Sequence, residues 1–94
     1  MGKLTMSMED YLEAISLASK RYGVARVKDI RGIMNVRTPS VTGALGVLSK
    51  HGYVLHEKYG YVELTPKGKK AAEEIKRRHS VISKFLESQI SLAV

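Results

Sequence analysis

Two carboxylates three residues apart, Asp10 and Glu13, share one face of a helix that the sequence predicts over residues 7–21. That face is distinct from the apolar stripe of Met8, Leu12 and Ile15, so neither carboxylate belongs to the core. Hard oxygen donors of this kind suit Mn2+ or Fe2+ once an imidazole approaches them, and His79, within KRRHSVISKFL, is the candidate imidazole. Acidic residues in a first helical turn also have a plainer use, as partners of the positive end of the helix dipole. Spacing alone leaves both uses open.

A second set of residues points to polyanion chemistry. The first turns of a helix opening at TPSVTG carry Arg37, Thr38, Pro39, Ser40, Thr42 and Gly43. A helix entering a DNA major groove end-on presents such turns to base edges. Arg37 can offer paired donors to a guanine edge, and Ser40 or Thr42 can bond a base or a phosphate. Lys28, Lys50 and Lys58 are better placed for phosphates, with Arg26, Arg31 and Tyr59 as neighbours. Gly43 and Gly46 each cost about 1 kcal/mol relative to alanine inside a helix. A bare Gly43 reads either as room for DNA to approach the backbone or as simple helix weakening.

Composition agrees with an anionic partner. Sixteen Lys and Arg against nine Asp and Glu give a net charge of +7 and a pI near 9.8. Each phosphate such a domain neutralises releases condensed counterions, which favours nucleic acid. The absence of cysteine excludes disulfides and cysteine-based zinc or redox chemistry. No apolar run approaches the ~18 residues of a membrane span, and no signal-peptide stretch opens the chain, so a soluble cytoplasmic protein without a membrane partner is expected. No nucleophile–base pair, phosphate-binding glycine loop or two-carboxylate pocket is visible, so neither enzyme activity nor a small-molecule substrate is expected.

These residues need elements to position them. Ser7 is the expected N-cap of the first helix, and Met8, Tyr11, Leu12, Ile15 and Ala18 recur at helical spacing. Residues 24–27 are a short β-branched stretch that predicts a stub of strand. A second helix fits 28–34, with Asn35 in a tight turn and Val36 buried behind it. Thr38 is the expected cap of the third helix, with Pro39 at its first position. Val41, Leu45 and Leu48 define its inward face, leaving Ser40, Gly43, Ala44 and Val47 outward. Gly52 closes it as a left-handed cap. Residues 53–58 and 61–64 read as two strands joined at Tyr59-Gly60. Thr65 and Pro66 then open a long helix to about residue 89.

The fold class expected is therefore mainly α with a small antiparallel hairpin: a winged helix-turn-helix in the order helix, helix, helix, hairpin, long helix. Residues 1–65 would form the DNA-binding domain and 66–94 a long helix leading toward a further domain. Ile82, Phe85, Leu86 and Ile90 on its far half are expected to meet another chain or domain.

The motifs SMEDYLEAI at 7–15, ARVKDI at 25–30, PSVTGALGVLSKHGYV at 39–54, HEKYGYVELTPKGKK at 56–70 and RRHSVISKFL at 77–86 resemble the iron- and manganese-dependent repressors of the diphtheria toxin repressor type. The likeness is greatest to the manganese transport regulator branch, N-terminal DNA-binding domain only. It implies a metal-dependent transcriptional repressor of metal-homeostasis genes that binds palindromic double-stranded DNA as a homodimer. Carried over by position, Asp10, Glu13 and His79 match metal ligands of the manganese branch. The iron branch has methionine where Asp10 stands, so the resemblance implies Mn2+, with Fe2+ the second choice. Several positions depart from the pattern. Gly43 replaces a DNA-contacting glutamine, Arg31 a small alanine, Gly32 a helix-former, and Ser83 a glutamate of an ancillary metal site. The family takes its remaining ligands from a dimerisation domain after the long helix, so this chain is expected to be either a fragment of such a protein or a stand-alone module. Two rival readings are a metal-independent winged-helix DNA-binding regulator and a winged-helix protein-interaction module.

Overall fold

A computed structural model of the chain describes residues 5–57 and 60–93, and the side chains of these up to His79. The elements are α1 (Met6–Tyr22), β1 (Ala25–Arg26), α2 (Val27–Met34), α3 (Thr38–Lys50), β2 (Val54–His56), β3 (Tyr61–Leu64) and α4 (Pro66–Ala93).

Thr5, not Ser7, caps α1: its backbone is extended and its Oγ1 accepts the Met8 N–H at 3.1 Å. Either hydroxyl could serve, and the earlier one lengthens the helix without loss of the cap. Thr5→Ala should lower stability by about 1 kcal/mol, read as a fall of roughly 4–8 °C in the thermal midpoint for a domain of this size. Leu12, Ile15 and Ala18 are buried and Met8 is partly so, as their spacing predicts, with Ala14 added to the stripe.

The expected hairpin is one part of a three-stranded antiparallel sheet in the order β1-β3-β2. Ala25 pairs with Val62 and Arg26 with Tyr61, so the stub before α2 becomes a strand. An isolated two-stranded hairpin is marginal in water, and β1 supplies the missing edge. Ala25, Val54 and Val62 are buried beneath it. Strand β2 is shorter than expected because Tyr53 N–H is taken by Leu48 O at 2.9 Å and Glu57 belongs to the turn, receiving Gly60 N–H at 3.0 Å.

Helix α2 begins at Val27, one residue earlier than predicted, and ends on Asn35 in the left-handed region at φ 56°. In α3 the cap is Arg37 rather than Thr38, because the Arg37 carbonyl accepts from Ser40 at 3.0 Å and from Val41 at 3.4 Å. Thr38 is then the first helical residue and Pro39 the second. Ala44 is 4% exposed, so it belongs to the buried face and not to the outward one. Positions 41, 44, 45 and 48 form the full i, i+3, i+4, i+7 stripe of a core-facing helix. At the far end Gly52, with φ 80°, donates to Ser49 O at 3.0 Å, and with the Tyr53 bond this completes a Schellman cap.

Thr65 caps α4 as expected, its Oγ1 accepting Gly68 N–H at 3.0 Å. The helix runs to Ala93, past the predicted 89, and its 28 residues span about 42 Å. Its first turns close the core, with Ala72 buried and Ile75 only 2% exposed. Ile82, Phe85, Leu86 and Ile90 lie outside the described side chains. Among the described residues no helix is long and apolar enough to cross a membrane.

Candidate nucleic-acid interface and metal centre

Arg37, Thr38, Pro39, Ser40, Thr42 and Gly43 are all exposed, and they occupy the start of α3 with its N-cap. No hydrogen bond or ion pair among the described residues engages the Arg37 side chain. The Thr38 hydroxyl accepts from Arg31 Nη1 at 3.5 Å, which sets a second cation beside the start of α3. Thr42 Oγ1 donates into its own helix, lying 3.1 Å from both Thr38 O and Pro39 O. At Gly43 a Cβ would meet nothing within 4 Å, so that position is open space on the helix surface. Val47 is exposed further along the same helix.

Lys28 is exposed in the first turn of α2, and Lys50 in the last turn of α3. Lys58 and Tyr59 lie outside the described residues. Arg26 is the extended N-cap of α2, and its guanidinium lies 5.3 Å from the Tyr61 ring centroid, a cation–π stack across the β1–β3 pairing. Sequence reasoning proposed Arg26 and missed Tyr61. The signal was slight, an aromatic following the turn glycine in a strand whose partner lay 35 positions upstream.

The proposed ligands are only partly gathered. Glu13 Oε1 and His79 Nδ1 lie 3.0 Å apart, bridging α1 and α4. An ionised carboxylate only accepts, so Nδ1–H is the donor. The two side chains are 39% and 47% exposed. On the same helices, one turn before Glu13 and one residue before His79, Arg78 Nη2 meets Glu9 Oε2 at 3.0 Å, a pair that sequence reasoning did not find. Asp10 is exposed, and with Glu13 it lines an open groove of about 440 Å³ that also involves Leu17, Lys20, Met34 and Lys76. Among the described residues no group of three His, Cys, Asp or Glu converges.

With the ring proton on Nε2 instead of Nδ1, the Glu13–His79 pair fits a hard divalent ion. Neighbouring ligands at about 2.1 Å from one metal stand about 3 Å apart, and one carboxylate oxygen plus one imidazole nitrogen is a donor set for Mn2+ or Fe2+. Asp10 is three residues before Glu13, within reach of the same helix face.

Four helices with a small antiparallel sheet, whose hairpin follows the third helix, define a winged-helix regulator fold, with a polar, partly basic start to α3. The chain belongs to the family described as "Iron dependent repressor, N-terminal DNA binding domain", which it matches over residues 3–62. It is 43% identical over 82 residues to the HTH-type transcriptional regulator MntR of Lysinibacillus sphaericus, a match covering 87% of this chain. The chain spans 58–59% of the length of such curated relatives. The crystal structure of IdeR from T. acidophilum is similar at a TM-score of 0.65 and 29% identity, over 77% of this chain and 33% of that one. The adhesin competence repressor AdcR of Streptococcus pyogenes shares the fold at a TM-score of 0.76 and 22% identity, over 95% of this chain and 66% of that one.

Proposed function

We propose that the chain is the DNA-binding part of a cytoplasmic, Mn2+-dependent transcriptional repressor of metal-homeostasis genes, not an enzyme, and that it acts on a palindromic duplex as a homodimer. The family assignment supports the repressor class. The observation that carries the metal reading is the 3.0 Å approach of Glu13 to His79 across α1 and α4. Glu13, His79 and Asp10 would hold the ion, which would supply a fixed positive charge linking the two helices. Asp10 supports Mn2+ over Fe2+, because a second carboxylate oxygen hardens the site. With only these side chains present, affinity is weak and water completes the coordination. Arg37 and Ser40 would face base edges. Lys28, Lys50 and Lys58 would meet phosphates, as would Arg26 held on Tyr61.

Mn2+ titration followed by water-proton paramagnetic relaxation tests the metal reading. His79→Ala should weaken Mn2+ binding by at least about tenfold, the scale on which even supporting residues act at metal sites. Equal binding by the variant and the wild type would remove His79 from the site and leave the metal-independent regulator in its place.

A further inference from the structure

The end of α3 is fastened to the start of α4 by a set of contacts with one common target. Three successive carbonyls follow α3, and the first turn of α4 meets each of them. Lys67 Nζ donates to His51 O at 2.8 Å. Thr65 Oγ1 donates to Gly52 O at 2.6 Å, and Thr65 N–H donates to Tyr53 O at 3.0 Å. The Lys67 ammonium also lies 4.5 Å from the Tyr53 ring centroid. Gly68 lets the helix come this close, since a Cβ there would overlap the Tyr53 carbonyl. These carbonyls follow the C-terminus of α3, beside the negative end of its dipole, so a cation is favoured there.

We propose that this clasp sets the pose of the recognition helix and that Lys67 is a positioning residue for DNA binding, not a phosphate ligand. The proposal rests on the DNA-binding reading above. Its physical basis is leverage. The N-cap of α3 has no side-chain hydrogen bond, and beyond core burial the DNA-facing end has only the long 3.5 Å contact from Arg31 to Thr38, while the far end is clasped. Thirteen residues of helix span about 20 Å. A tilt of about 5° at the clasp moves the opposite end by about 2 Å, enough to break a hydrogen bond of about 3 Å. The Lys67 ammonium already has a carbonyl and a ring face, and it reaches DNA only by leaving them.

The test uses a duplex selected by the wild type from a random pool, a scrambled duplex, and the variants Lys67→Met and Lys67→Arg. Lys67→Met keeps the aliphatic stem and removes the donor. It should weaken binding to the selected duplex about tenfold and lower the ratio of selected to scrambled binding. It should leave the slope of log affinity against log salt unchanged, and Lys67→Arg should restore most of the loss. A thermal midpoint within about 4 °C of wild type shows that folding is not the cause, since that shift corresponds to about 1 kcal/mol. A slope reduced by about 0.9 would make Lys67 a phosphate contact and overturn the proposal. So would wild-type affinity in Lys67→Met. Failure of the DNA reading is a different result: the wild type itself would show no salt-dependent binding, and the proposal would fall with it.

Discussion

Gly68→Ala should lower the unfolding free energy by about 3 kcal/mol, at the upper end of the cost of overpacking. A Cβ at this position would collide with the backbone oxygen of Tyr53 and reach the Leu64 side chain at 3.3 Å. A backbone oxygen has no rotamer by which to withdraw. Either α4 lifts from the loop or the carbonyls after α3 lose their partners, and both outcomes open the clasp. The loss is large against the 5–15 kcal/mol that holds a typical domain together. It should appear as a thermal midpoint lower by roughly 12–24 °C, at 4–8 °C per kcal/mol. Gly52 makes the contrast. Its φ of 80° strains an alanine, yet nothing lies within 4 Å of the added methyl, so alanine there should cost only about 1 kcal/mol. Circular dichroism melts of the two variants measure the difference. A Gly68→Ala midpoint within 4 °C of wild type would mean that α4 does not approach the loop so closely.

Arg37→Ala should reduce affinity for the selected duplex by about 1–3 kcal/mol, roughly five- to 150-fold, while binding to scrambled DNA changes little. Arg37 is exposed at the N-cap of α3, and no contact among the described residues holds its side chain. A guanidinium so placed can turn both donors onto one base edge. Lys28→Ala should behave differently, weakening all duplexes alike and reducing the salt slope by about one unit. Fluorescence anisotropy on both duplexes at several salt concentrations separates the two behaviours. Equal loss on both duplexes for Arg37→Ala would make it a phosphate contact instead of a reader.

Local chemistry was legible wherever a few neighbouring residues decide the structure. Thr65 with Pro66 marked the start of α4, Gly52 the end of α3, and Asn35 the turn between α2 and α3, because caps and turns depend on hydroxyls, left-handed φ and missing N–H groups close in the chain. Thr5 and Ser7 are equivalent by type, so only the folded helix distinguished them. Ala44 looked solvent-facing because alanine carries little polarity signal, although its position completes the buried stripe. What stayed hidden was long-range. The β1–β3 pairing, the Arg26–Tyr61 stack, the Glu9–Arg78 pair and the Lys67–His51 bond each join residues 16 to 69 positions apart. At the candidate site, residue types suggested ligands, while the juxtaposition of Glu13 with His79 needed the packing of α1 on α4.

The inward turn of the Thr42 hydroxyl has a consequence for the proposed reading. Its proton is held between the carbonyls of Thr38 and Pro39, so the oxygen presents only lone pairs outward. Arg37 presents only protons. The N-cap and the second turn of α3 therefore have opposite hydrogen-bonding polarity. A guanine edge, which offers acceptors, complements Arg37 and not Thr42, whereas the amino groups of cytosine and adenine complement Thr42 and not Arg37. Such a surface has a direction along the groove: turned end for end on the same base pairs, it would set donor against donor and acceptor against acceptor.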